Sequence, residues 1–181
     1  TGYDVEKEIQ FSEFDPYFHQ ADLDAQPPPF AALEAKYYML NGRGYPKTVG
    51  PTESNNADEI GEDPYDSQPI DSKVTATTGD RVLLRLSNLS IQNFANLEFN
   101  GPAFKVVGKC AKLLRGPDGK DLSYSASSVL IGPGESFDII LDTDGWTPGT
   151  YYFFSRNLNQ LNNNLMDRGG AMTEITLTSP I

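Results

Sequence analysis

The sequence predicts an all-β domain, a two-sheet Greek-key sandwich, and three observations carry that prediction. Residues 136–142 alternate as a half-buried strand does: Phe137, Ile139 and Leu141 face one way, and Ser136, Asp138, Ile140 and Asp142 the other. Turn signals bracket this run, with Gly132-Pro133-Gly134 before it and Gly145 to Gly149 after it, which gives strand, turn, strand, turn, strand. The 181 residues include 13 prolines and 16 glycines at 38% apolar content, which suits one loop-rich β domain with a substantial core.

The elements follow in chain order. Residues 5–11 alternate apolar and charged. Val5, Lys7, Ile9 and Phe11 share one face, where Lys7 is out of place, so a first or edge strand is expected. Asp15-Pro16 is a helix start, with a short helix expected over residues 16–22. Pro27-Pro28-Pro29 forces an extended segment. Residues 36–40 form a strand that Asn41-Gly42 ends with turn chemistry. Residues 46–70 hold Glu53, Asp58, Glu59, Glu62, Asp63 and Asp66 with no basic residue between them. They read as an acidic surface loop, inserted at about 47–70 in a single domain spanning 1–181, and shortening it is expected to cost little stability.

Residues 73–77 and 81–87 are expected to form a hairpin about Thr78-Gly79-Asp80, with Val82, Leu84 and Leu86 inward and Arg81 and Arg85 outward. Strands at 94–99 and 104–107 are separated by Gly101-Pro102, and Pro117-Asp118-Gly119-Lys120 is a tight turn. Residues 151–154 are aromatic on both faces, which predicts a strand covered on both sides. Residues 157–164 are an asparagine- and leucine-rich loop, and residues 171–177 close a sheet with Ile175 and Leu177 inward. No internal repeat stands out, and a two-sheet Greek key is the economical arrangement.

Several of these stretches carry a family resemblance. They are Leu130-Ile131-Gly132-Pro133-Gly134-Glu135, Phe137-Asp138 and Pro148-Gly149-Thr150-Tyr151. Upstream lie Met39-Leu40-Asn41-Gly42-Arg43-Gly44-Tyr45-Pro46 and Gly79-Asp80-Arg81-Val82-Leu83-Leu84-Arg85-Leu86-Ser87-Asn88; Gly169-Gly170-Ala171-Met172-Thr173-Glu174-Ile175 lies downstream. In that order they resemble a cupredoxin-like domain of the multicopper oxidase family, most closely the copper-free middle domain. The resemblance implies a cupredoxin-like Greek-key β-sandwich in an extracellular or periplasmic oxidoreductase. In such a protein, electrons pass from a substrate through a mononuclear copper to a trinuclear cluster that reduces dioxygen to water. It implies copper in the parent protein and none in this chain. The chain's implied role is to hold neighbouring cupredoxin domains in register and to shape a substrate-side surface.

The residues themselves limit the chemistry. A blue-copper site takes two histidines and a cysteine, and the chain has one histidine, His19, and one cysteine, Cys110. Cys110 is followed by Ala111-Lys112-Leu113-Leu114 with no histidine, where the resembling domains carry an acidic residue; it reads as a free cysteine in a strand or at its end, packed away from solvent. His19 lies near Glu13, Asp15 and Asp22 without ligand spacing, and a structural zinc would need four nitrogen or sulfur ligands. The acidic loop lacks the alternating pattern of a calcium loop, so its composition favours a solvated loop over a calcium site. One cysteine allows no internal disulfide.

A formal net charge of −11 argues against nucleic acid or an anionic membrane as partner, and no apolar stretch is long enough for a membrane span. The first residues lack the apolar core of a signal peptide, so a processed secreted protein and an excised fragment both fit. The candidate interface is Arg156, Asn157, Leu158, Leu161, Leu165 and Met166, where apolar side chains sit among turn-forming asparagines with no strand of their own. Its expected partners are neighbouring cupredoxin domains or subunits. An alternative is a standalone secreted module for binding or assembly without redox activity. A sandwich hydrolase built on two of the carboxylates is a third reading with no motif behind it.

Overall fold

The computed structural model describes residues 2–50, 68, 70–166 and 168–180. Most of the acidic insertion expected at about 47–70 falls outside them. Twelve strands, one helix and two short 3-10 turns follow in order: β1 (Val5–Phe14), α1 (Pro16–Leu23), a 3-10 turn (Phe30–Ala32), β2 (Tyr37–Leu40), β3 (Val74–Thr77), β4 (Arg81–Asn88), β5 (Ala95–Phe99), β6 (Phe104–Lys109), β7 (Lys112–Leu113), β8 (Tyr124–Ala126), β9 (Ser128–Ile131), β10 (Ser136–Asp142), β11 (Gly149–Ser155), a second 3-10 turn (Leu158–Gln160) and β12 (Met172–Thr178).

The strands form two sheets. The larger runs β2-β1-β4-β10-β6-β7, with β8 also on β6; the smaller runs β3-β12-β11-β5-β9. The core lies between them. Ile9, Phe11, Leu84, Leu86, Ile139 and Leu141 face it from the larger sheet, and Leu97, Phe99, Ile131, Phe153, Ile175 and Leu177 from the smaller. Each such side chain contributes about 1.5–3 kcal/mol by leaving water, and the period-2 alternation puts them all on one side of their strands.

The structure corrects four expectations. β1 is not an edge strand: it lies inside the larger sheet, antiparallel to β2 and parallel to β4 from Val5↔Val82 to Phe11↔Asn88. Lys7, out of place on its apolar face, is met there by Asp71, with Nζ 2.6 Å from Oδ1. The expected hairpin of residues 73–77 and 81–87 does not form. The turn exists, with Asp80 N–H donating to Thr77 O at 2.9 Å and Gly79 at φ 102°, but the chain changes sheets there. β3 pairs with β12, and β4 with β1 and β10. β11 is covered on one face only: Phe153 is buried, whereas Tyr152 stays open to solvent on the other side. Cys110 is exposed rather than packed away; it and Ala111 form the two-residue link between β6 and β7.

α1 buries no residue, so packing alone does not hold it. Its N-terminus is fixed by Asp15, whose Oδ1 accepts from Tyr17 N–H (2.9 Å) and Phe18 N–H (3.2 Å), and by Pro16 at the first position. The His19 imidazole stacks on Phe14 with ring centroids 4.3 Å apart.

Candidate functional site

The candidate interface lies at one end of the sandwich, where β4 ends, β5 begins and β11 ends. Residues 156–166 leave β11 here. Arg156 N–H donates to Asn96 O at 2.8 Å, and its Nε is 2.9 Å from Glu98 Oε2, so both contacts hold the segment against β5. Asn157 caps the second 3-10 turn, its Oδ1 accepting from Asn159 N–H at 3.2 Å.

The buried residue of that turn is Gln160. Its Oε1 accepts from Ser155 Oγ at 2.6 Å, and its Nε2 donates to Phe94 O at 3.3 Å. Asn163 ties the far side: its Oδ1 accepts from Gly170 N–H (2.9 Å) and its Nδ2 donates to Tyr45 O (3.3 Å). Gly170 sits at φ 70° with no room for a side chain, since a Cβ there would meet Gln160 O. Gln160 and Asn163 therefore point inward and rebuild hydrogen bonds that no strand supplies.

Its apolar side chains point outward. Leu158, Leu165 and Met166 are 78%, 92% and 60% exposed. Leu161 differs: it is half-buried.

A second loop joins this end, and the sequence reading did not single it out. Between β4 and β5, Leu89, Ile91 and Phe94 are all more than half exposed. The loop is held by Glu13 on β1. Its Oε1 accepts from the backbone of Ile91 (2.9 Å) and Gln92 (2.8 Å), and its Oε2 from Asn93 Nδ2 (2.5 Å). Asn88, fully buried, closes the base: Nδ2 donates to Ile131 O (2.8 Å) and Oδ1 accepts from Ser90 N–H (2.8 Å). The signal was present, since Leu89 and Ile91 are also apolar residues among asparagine and serine. Gln160 and Arg156 bond to the start of β5, so the two loops form one surface.

The two residues that could ligate copper lie apart. His19 is on α1, beyond the end of β1, while Cys110 follows β6; β4 and β10 stand between β1 and β6 in the sheet. Among the described residues, no group of three or more histidine, cysteine or carboxylate side chains is placed to hold a metal ion. No helix among them is long and apolar enough to cross a membrane.

The two-sheet Greek-key sandwich is that of a cupredoxin-like domain. The family model of the multicopper oxidases matches residues 13–175, and the chain belongs to that family. The fold is similar to the blue copper oxidase from Nitrosomonas europaea (TM-score 0.68, 20% identity, 97% of this chain and 44% of that one). It is similar also to the multicopper oxidase mgLAC (TM-score 0.71, 19% identity, 99% and 46%) and to the copper nitrite reductase from Nitrosomonas europaea (TM-score 0.61, 16% identity, 98% and 50%). At these identities the likeness is one of fold. The chain spans less than half the length of the first two. No curated protein matches it.

Proposed function

We propose that this chain is a copper-free cupredoxin-like domain of a larger multicopper-oxidase-type protein, outside the membrane or in the periplasm, serving as a structural and substrate-side element. The observation that carries the reading is the sandwich end. Leu89, Ile91, Phe94, Leu158, Leu165 and Met166 expose apolar surface on two loops whose backbones are pinned by the buried Asn88 and Gln160 and by the half-buried Glu13. A rigid backbone presenting solvent-exposed leucines is suited to contact, because little order is lost when a partner covers it. Arg156 and the asparagines supply the polar rim that such interfaces have.

The donor set does not fit a copper centre within this chain. One imidazole lies flat on Phe14 and one thiol stands on a turn across the sheet, short of the two histidines and one cysteine that copper takes. Any redox step would belong to copper held by other domains of the parent protein. This chain would contribute the fixed spacing between its neighbours and the shape of the surface beside them.

The test loads the chain with copper, dialyses it, and follows metal content and association together. Less than stoichiometric copper is expected, with weak self-association through the loop end at high concentration. Leu158→Asp combined with Leu165→Asp should abolish the association and move the Tm by no more than about 2 °C, because exposed substitutions cost little. Stoichiometric copper with an intense thiolate-to-copper band, or a sharp fall in Tm in the double variant, would overturn the reading.

A further inference from the structure

The opposite side of the larger sheet, away from the core, carries a separate apolar site. Leu83 on β4 and Ile140 on β10 are register partners, and Val107 stands beside them on β6. Val106 and Val107 are adjacent on β6 and so serve opposite faces, Val106 in the main core and Val107 here. Leu83, Val107 and Ile140 form an apolar cluster distinct from the main core. They floor a cavity of about 400 Å3, walled by Tyr3, Leu113 and Leu114, with Arg115 at its rim. A sheet face turned to water ordinarily alternates to polar residues; here three adjacent strands each place an apolar side chain on it. The volume and the mix of an apolar floor with few polar groups suit a small ligand.

The cavity lining balances two carboxylates, Asp121 and Asp138, against two cations, Arg85 and Arg115, so its preference for an anion rests on Arg115. The chain carries a net charge of −11, yet residues 105–120 contain five basic residues (Lys105, Lys109, Lys112, Arg115, Lys120) and one acidic residue, Asp118. Of the two carboxylates, Asp121 is answered by Lys105, whose Nζ is 3.1 Å from Oδ2, and Asp138 lies in the field of Arg85. Arg85 is itself paired with Glu6. Arg115 has no ion pair among the described residues. Its guanidinium is the unanswered charge at the mouth, and its planar fork matches a carboxylate or sulfonate.

We propose that this cavity binds a small amphipathic organic anion, its apolar body against Leu83, Val107 and Ile140 and its anionic group at Arg115. The site is independent of the loop end. The test titrates the full chain with phenylacetate, and in parallel with benzyl alcohol, its neutral counterpart, following backbone amide shifts. Saturable shifts at Leu83, Val107, Leu114 and Ile140 are expected, with benzyl alcohol weaker. Arg115→Ala should weaken phenylacetate by about tenfold and leave benzyl alcohol unchanged; Arg115 is exposed, so the variant folds. Leu113→Ser, also at an exposed position, should weaken both ligands. The proposal is overturned if millimolar phenylacetate moves none of these amides, or moves only those near Phe94 and Leu158. Equal binding of the two ligands, or an Arg115→Ala variant that binds phenylacetate as before, would also overturn it.

Discussion

At the residue scale, Asp15 joins three parts of the chain through one carboxylate. Oδ1 caps α1, and Oδ2 accepts from Glu34 N–H at 2.8 Å, which fixes the segment entering β2. The side chain is buried. Burial pushes its carboxyl up, but the backbone N–H groups of Glu34, Phe18 and Tyr17, with Lys36 nearby, outweigh burial and hold it below the usual carboxylate range. A carboxylate depressed in the folded state stabilises above its unfolded value, about 3.9, and that stability is lost as pH falls through the folded value. Asp15→Ala should therefore cost about 2–3 kcal/mol at pH 7, since it removes a cap and leaves buried donors unpaired. The deficit should shrink as the pH falls below about 3.9. Urea midpoints of both proteins across that range measure it, and a deficit independent of pH would show that the loss is packing rather than charge.

At the scale of elements, the β6–β7 turn conflicts with its sequence. Cys110 and Ala111 both adopt left-handed backbone, at φ 49° and 60°, between the paired Lys109 and Lys112. Two-residue turns of this kind favour Asn-Gly, because a β-carbon is disfavoured at positive φ. C110N/A111G should stabilise the domain by about 1 kcal/mol, a rise of about 2–4 °C in Tm. An unchanged or lower Tm in a thermal melt would mean that the turn is held by other contacts. The turn between β3 and β4 shows how far local sequence reaches. Thr78-Gly79-Asp80 was legible as a turn, and a turn it is, but turn chemistry does not say which sheet the next strand joins. Leu84 and Leu86 pack against the core from one sheet and Val74 and Ala76 from the other, and only the packed whole decides that. α1 was legible within a residue or two, because Asp15-Pro16 is a local signal. Of the contact surface, residues 157–166 were legible from leucines among asparagines. On the Leu89–Phe94 side the apolar residues also stand among asparagine and serine, but their anchor, Glu13, lies far away in the chain, so local sequence does not show that they join the same surface.

At the scale of the molecule, each sheet contains one parallel pair that joins distant parts of the chain: β1 with β4 in the larger, and β3 with β12 in the smaller. The first of these places β1 inside the larger sheet. The family match starts at residue 13, yet β1 occupies the interior of the larger sheet from Val5. Ile9 and Phe11 are fully buried, and seven consecutive register pairs join β1 to β4. Losing two such side chains costs about 2–5 kcal/mol each, and losing residues 5–12 also removes two of the four register pairs that hold β2 and opens the edge of β4 to other chains. The sum consumes most of the roughly 5–15 kcal/mol by which a domain of this size is stable. A chain starting at Glu13 should therefore lack the near-ultraviolet dichroism of its packed aromatic rings, show poor amide dispersion, and aggregate at concentrations where the full chain does not. A chain starting at Asp4 should match the full chain in Tm. If the chain starting at Glu13 melts cooperatively near the full-length value, β1 is an accessory strand and the core of the larger sheet closes without it.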